Sequence, residues 1–252
     1  MWPPQKVAGV RTETPSHPEL AGQRVFLNGI CDAAGEGIAR AFASQRVRLV
    51  LHSRQEPARA ADLADRLQPE AGELRLFSGD VGADQAAAER LARAALGAFG
   101  GIDLLINLVA AGANDHFSDQ RDLEDRIADR LRPAMVLARA VADHARNSGR
   151  PATVMHVSLA RSGARGKLAA YAMLKSGLEA MTQDQSRRWF SHDVCVHAFV
   201  PGLPEDDTAA PYETDNVVRT GSNFAASLNA ILLNAAGGRS RWLNGITLAV
   251  PV

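Results

Sequence analysis

The sequence predicts an α/β fold: a doubly wound, mostly parallel seven-stranded sheet with helices on both faces. Three observations carry that expectation. Short runs that are apolar nearly throughout alternate with longer stretches of helical period, and such runs suit strands buried on both faces. Strand–helix alternation argues for right-handed βαβ units. A length of 252 residues suits one domain of this kind, and no repeat, low-complexity tract or linker divides it.

The expected strands are Arg24 to Leu27, Val47 to Leu51, Leu74 to Phe77, Leu104 to Leu108, Thr153 to Val157, Val194 to Val200 and Ile246 to Val250. Between them the apolar residues repeat at helical spacing: Ala60, Leu63, Ala64 and Leu67; Ala88, Leu91, Ala92 and Ala95; Ile127, Leu131, Met135 and Ala138; Leu174, Leu178 and Met181. A further helix is expected over Glu36 to Gln45. Pro133, inside the third stripe, is expected to start, bend or break that helix, because proline lacks the N–H and clashes with the preceding turn. Residues 1–20 contain Pro3, Pro4, Pro15 and Pro18 and no apolar signal core. They are expected to form a poorly ordered extension or an arm packed on a neighbour, with residues 21–252 as the single domain.

Composition narrows the partners. Basic and acidic side chains balance at 28 each, so no polyanion is announced and a nucleic-acid partner is not expected. No run of 18 apolar residues occurs, so no membrane partner is expected either. Cys31 and Cys195 have no ligand-like spacing, which fits a reducing compartment, the cytoplasm. The seven histidines form no zinc pattern, and no metal is expected. Only three lysines are present, Lys6, Lys167 and Lys175, so a lysine inside a motif is informative.

After the first strand comes Asn28-Gly29-Ile30-Cys31-Asp32-Ala33-Ala34-Gly35, then a helix. A turn of small residues lets backbone N–H groups approach a pyrophosphate, whose charge a helix N-terminus favours. Alone, it reads equally well as a tight βα connection. Tyr171 and Lys175 are four apart in a helical stretch and therefore share a face. A neighbouring ammonium favours the phenolate, so such a pair can exchange a proton with a carbonyl or alcohol oxygen. Ser158 ends the fifth strand, thirteen residues before Tyr171. From there its hydroxyl can hold a substrate oxygen.

These residues resemble the short-chain dehydrogenase/reductase family, over about Leu20 to Val250. The chain looks like a divergent member. Its turn is similar to the family's TGxxxGxG, with Gly29 and Gly35 on the first and third glycines, Ala33 replacing the middle one and Asn28 replacing the threonine. The resemblance implies a Rossmann-like fold, a nicotinamide cofactor and a small-molecule carbonyl or alcohol substrate. Ser158, Tyr171 and Lys175 would be catalytic, and Tyr171 and Lys175 would also touch the cofactor. The implied cofactor site comprises Asn28, Gly29, Ala33, Gly35, Arg54, Asp80, Val81, Asn107, Pro201 and Gly202.

Asp80-Val81 matches the pair beside the adenine, although Asp80 reads nearly as well as a turn or capping residue. Asn107 is what remains of an NNAG motif, and Pro201-Gly202 matches the turn beside the nicotinamide. Leu203 to Ser222 corresponds to the substrate loop. The second strand ends His52-Ser53-Arg54, without the acid that would grip ribose hydroxyls. Arg54 would pair with a 2′-phosphate, favouring NADP over NAD. Asp32 opposes this by repelling the phosphate or neutralising Arg54, and a solvated surface arginine is the other reading. The helix asparagine of the family aligns with Arg130, pointing either inward against Lys175 or outward. The resemblance also implies a homo-oligomer, tetramer or dimer, built through the two long central helices. The alternative is a weakly active or inactive member that binds a nucleotide or a partner, motivated by Ala33, Arg130 and the worn Asn107 motif.

Overall fold

The computed structural model describes residues 16–30, 32–54, 56–82, 84–110, 120–159, 168–201, 222–239 and 241–250. Seven strands form where the apolar runs predict them: β1 (Arg24–Asn28), β2 (Arg48–Ser53), β3 (Glu73–Ser78), β4 (Leu104–Ala110), β5 (Ala152–Leu159), β6 (Val194–Pro201) and β7 (Thr247–Val250). The helices are α1 (Ala33–Ala43), α2 (Pro57–Leu67), α3 (Gln85–Phe99), α4 (Gln120–Ser148), α5 (Leu168–Trp189) and α6 (Ser222–Asn234). The strands lie in the order β3-β2-β1-β4-β5-β6-β7, and every neighbouring pair is parallel.

Local chemistry sets the helix ends. The Asp32 side chain accepts from the Gly35 amide at 2.9 Å and caps α1. Asp84 caps α3 through the Ala87 amide, satisfying donors that a helix start leaves unpaired. Pro57 stands in the first turn of α2, where a missing N–H costs nothing.

The strands alternate their side chains between two apolar layers. Leu27, Leu49, Leu51, Leu104 and Ile106 pack with Ile38 and Phe42 of α1, Leu63 and Leu67 of α2, and Leu228 and Leu232 of α6. Phe26, Val50, Leu105, Val154 and Val196 face the other way, against Leu91 and Ala95 of α3 and Leu137 and Val141 of α4. Helix α1 thus covers one face and α4 the other, although β1 and β4 are neighbours. That divergence opens a crevice at the C-terminal ends of β1 and β4, where open α/β sheets bind ligands.

Helix α4 neither starts nor stops at Pro133 but spans it. Pro133 removes the donor that would have bonded the Asp129 carbonyl, and the Arg54 guanidinium donates to that oxygen instead, at 3.4 Å. Near the N-terminus, residues 1–15 lie outside the described residues. Pro18–Leu20 forms a 3-10 turn, and Leu20 is buried in the core.

Candidate cofactor cleft and active site

The crevice begins at the turn after β1. Gly29 has φ +92°, and a Cβ there would stand 2.6 Å from the Leu108 carbonyl oxygen. Only glycine lets the turn lie this close to β4. A notch of about 50 Å³ opens beside it, lined by Asn28, Gly29, His52, Arg54, Val81, Leu108, Val109, Ala110, Asp129, Arg130 and Pro133. Four of these eleven, Asn28, Gly29, Arg54 and Val81, are residues that the sequence resemblance places at a cofactor site. Ala33 and Gly35 lie in the first turn of α1, with Gly35 buried.

Arg54 is the centre of a clasp across this notch. Its Nε and Nη2 donate to the two oxygens of Asp80, at 2.7 and 3.2 Å. Its Nη2 lies 3.9 Å from Asp129 Oδ2. Burial alone would raise the Asp80 carboxyl, but the Arg54 and Gly82 hydrogen bonds and the charges of Arg54 and Arg130 hold it below the usual range. Gly82 donates to Asp80 Oδ1 at 2.8 Å, so Asp80 is a turn residue as well as an ion partner. Arg132 donates to the Gly82 carbonyl. The end of β2, the turn after β3 and the stretch of α4 before Pro133 are thereby tied together. Asp32, weighed in the sequence as a neutraliser of Arg54, instead caps α1. Arg130 lines the notch on the Asp80 side of α4.

Below the crevice runs a row of polar side chains that sequence reasoning did not assemble. Asn28, His52, Asn107 and His156 are cross-strand partners on β1, β2, β4 and β5. The row lies one pleat above the apolar row of Phe26, Val50, Leu105 and Val154. All four are buried, and buried polar groups persist only when paired. His52 Nε2 lies 2.9 Å from the Gly79 carbonyl and Nδ1 lies 2.7 Å from Asn28 Oδ1. Asn28 Nδ2 donates to Asn107 Oδ1 at 3.0 Å. Asn107 Nδ2 donates to the Ala134 carbonyl at 3.3 Å and lies 3.4 Å from His156 Nδ1. His156 Nε2 donates to Gln185 Oε1 of α5 at 3.0 Å. Burial holds the His156 imidazole down at about 4, against the upward pull of Gln185. Burial also lowers His52. The signal in the sequence is one polar residue near the C-terminal end of each of four apolar runs.

One pleat higher stand Val109 and Ser158, again cross-strand partners. Ser158 is buried, next to last in β5. Val109 clusters with Ala134 of α4 and Leu174 and Leu178 of α5. This apolar patch seats the start of α5 beside the ends of β4 and β5. Tyr171 lies in the first turn of α5 and Lys175 one turn on; the Tyr171 side chain lies outside the described residues. Lys175 Nζ is 3.9 Å from Glu179 Oε1, with a third of its side chain exposed. Pro201 ends β6, paired with Val250. Gly202 and residues 203–221, which include most of the expected substrate loop, lie outside the described residues.

Gly29 permits close backbone approach, and the uncapped part of the α1 N-terminus favours anionic groups. No cluster of His, Cys, Asp and Glu arranged to hold a metal occurs among the described residues.

The chain is similar to known proteins in sequence and in fold. Residues 29–230 match the family model described as enoyl-(acyl carrier protein) reductase. The chain is 29% identical to D-threitol dehydrogenase of Mycolicibacterium smegmatis, covering 72% of this chain and 70% of that one. It is 28% identical to L-rhamnose 1-dehydrogenase (NAD(P)(+)) of Azotobacter vinelandii, covering 75% of each. Among solved structures, a short-chain dehydrogenase/reductase from Serratia marcescens superposes with a TM-score of 0.73 at 20% identity, over 93% of this chain and 98% of that one. The NADH-dependent reductase A1-R′, complexed with NAD, superposes with a TM-score of 0.72 at 22% identity, over 93% and 96%. At these identities the structural matches speak for the fold.

Proposed function

Because the chain belongs to the short-chain dehydrogenase/reductase family, we propose that it moves a hydride between a nicotinamide cofactor and a small carbonyl or alcohol, with Tyr171 as the acid/base. What supports this reading is that Ser158, buried near the end of β5, pairs with Val109, which clusters with Leu174 and Leu178 of α5, the helix that bears Tyr171 and Lys175. Ser158 offers a hydroxyl to orient the substrate oxygen. Tyr171 gives that oxygen a proton in reduction or takes it in oxidation. Lys175, one turn along, favours the phenolate and reaches toward the nicotinamide ribose. The nicotinamide, when bound, gives or receives the hydride.

The cofactor lies across the crevice, its adenosine end at Asp80, Val81 and Arg54, its pyrophosphate at the Gly29–Gly35 turn, and its nicotinamide near Asn107, Pro201 and Gly202. NADP is preferred. Arg54 stands at the end of β2, with no acid there to hold a ribose, and a 2′-phosphate competes with Asp80 for its guanidinium. The clasp to Asp80 and Asp129 is the observation that favours the competing reading, NAD, since those carboxylates already neutralise Arg54. The oligomer pairs copies through α4 and α5, where Met135 is half exposed beside a groove lined by Met181 and Trp189. No described helix is long and apolar enough to cross a membrane, and the reading takes the protein to be cytoplasmic.

Two experiments test this. Turnover of a carbonyl panel with NADPH or NADH should fall about 10²- to 10⁴-fold in Tyr171→Phe, with nucleotide binding retained. Saturable binding without turnover on any substrate would instead support the inactive, nucleotide-binding alternative. Arg54→Ala should weaken NADPH much more than NADH in fluorescence titrations; equal weakening would remove the NADP preference.

A further inference from the structure

The two buried histidines of the polar row differ in how many protons their surroundings require. His156 Nδ1 faces the Asn107 amide nitrogen, a donor, and its Nε2 faces Gln185 Oε1, an acceptor. One ring proton satisfies both contacts, so His156 is complete as a neutral imidazole. His52 meets acceptors on both sides. Its Nε2 faces a backbone carbonyl, that of Gly79, which can only accept. Its Nδ1 faces Asn28 Oδ1.

The Asn28 amide cannot simply be turned over to offer a donor, because its orientation is inherited along the row. Asn28 Nδ2 donates to Asn107 Oδ1, and Asn107 Nδ2 donates to a second backbone carbonyl, that of Ala134. The chain of contacts from the Gly79 carbonyl through His52, Asn28 and Asn107 to the Ala134 carbonyl has acceptors at both ends. Its four links need four donors. The two amides supply one each. A neutral ring supplies one more and leaves a link unmade; an imidazolium supplies two and completes the chain.

Against the second proton stand burial and the charge of Arg54, while the Gly79 carbonyl and Asp80 favour it. The charged groups around the ring come from three elements: Arg54 beyond the end of β2, Asp80 beyond β3, and Asp129 and Arg130 on α4, with uncharged Asn28 on β1. His52 also lines the notch of the crevice. An anion placed there acts on the ring through little intervening protein, and an opposite charge at that range favours the charged imidazole.

We infer that His52 is a proton-uptake site coupled to the cofactor cleft: binding of an anionic dinucleotide draws a second proton from solvent onto its ring and completes the row. This rests on the reading of the crevice as a dinucleotide site. The free protein keeps the ring neutral near neutral pH, and the complex carries it as imidazolium. His52 therefore acts as a positioning residue. Its charged form holds Asn28, and through it Asn107, in the orientation the cleft floor needs, and it makes dinucleotide affinity rise as pH falls through the imidazole range.

Calorimetric titration with NAD+ tests this, because its pyrophosphate does not titrate near neutral pH. At about pH 6.5, in buffers of different ionisation enthalpy, binding should be accompanied by net uptake of a fraction of a proton. Affinity should rise several-fold between about pH 7.5 and about pH 5.5, by at most about tenfold for each pH step of one. In His52→Gln both the proton uptake and the rise in affinity on acidification should be lost, so that its affinity no longer depends on pH in this range. Binding without uptake, or uptake unchanged in His52→Gln, would overturn the inference and leave the oxidoreductase reading standing. Absence of binding by NAD+ and NADPH alike would sink that reading itself. In that case the ring nitrogens of the free protein decide by NMR: His52 should take its second proton at a higher pH than His156, and the reverse order would refute the donor count.

Discussion

The two halves of the crevice are held by different physics. On the β2–β3 side, Arg54, Asp80, Gly82, Asp129 and Arg132 are joined by charge-assisted hydrogen bonds, and the His52–Asn28–Asn107 row lies beneath them. On the β5–α5 side, Val109, Ala134, Leu174 and Leu178 form an apolar patch, with Ser158 the strand partner of Val109 and Lys175 next to Leu174 along α5. Hydrogen bonds are directional, so the first half is defined in orientation. Apolar contact is not directional, so the second half is set by how closely the side chains fill space. Electrostatic and packing changes should therefore act on different halves.

The largest effect is expected from the packed half. Leu178 is fully buried between α5 and the ends of the strands. Leu178→Ala removes apolar surface and leaves a cavity, at a cost of about 2 to 5 kcal/mol in denaturant unfolding. Because it loosens the helix carrying Tyr171 and Lys175 and spares the Arg54 clasp, turnover should fall more than nucleotide affinity. Equal losses would mean that the halves are not mechanically separate.

The next effect belongs to the row that joins them. His156 titrates at about 4 in the fold and near 6.5 in the unfolded chain. A depressed imidazole means that the unfolded state binds the proton first as pH falls. The contribution is complete above about pH 6.5 and is lost on acidification toward pH 4, on the order of 3 kcal/mol. His52 and His197, both lowered mainly by burial, add in the same direction. Unfolding midpoints across that range should show the slope, and His156→Gln, which cannot take up the proton, should flatten it by about one proton's worth.

Much of this scaffold was legible in the sequence, for reasons that are local. Leu104 to Leu108 and Val194 to Val200 are apolar on both faces, and the helical stripes repeat where α2, α3 and α5 form. Gly29 was legible because a turn after a strand needs a residue free to take positive φ. The partners of Arg54 were not. The resemblance suggested Asp32 as a neutraliser, but an aspartate before a helix finds its nearest amide donors at the helix start. Asp80 and Asp129 reach Arg54 only after β3 is laid beside β2 and α4 is folded across them. Pro133 neither starts nor breaks α4 for a related reason: a freed carbonyl is costly only if nothing else donates to it, and Arg54 does so from 75 residues away. Asn107 read as a worn motif and His156 as one of seven histidines without a zinc pattern. Their shared register is a property of strand pairing, which no single run of sequence contains.

The smallest expected effect is the sharpest probe of the clasp. A Cβ on Gly82 would stand 2.5 Å from Arg54 Nη2 and 2.6 Å from the Asp129 carbonyl oxygen. The first contact can be relieved by swinging a long side chain away from Asp80; the second requires the α4 backbone to move. Gly82→Ala should therefore cost about 1 to 3 kcal/mol and weaken nucleotide binding, with turnover at saturation little changed. In the Arg54→Ala background the guanidinium is already gone, and only the clash with Asp129 remains. The double variant should thus lose less than the sum of the single losses, since both changes strike one unit. Full additivity in unfolding and in nucleotide affinity would mean that the Asp80 turn and α4 are held independently, and that Arg54 does not join them.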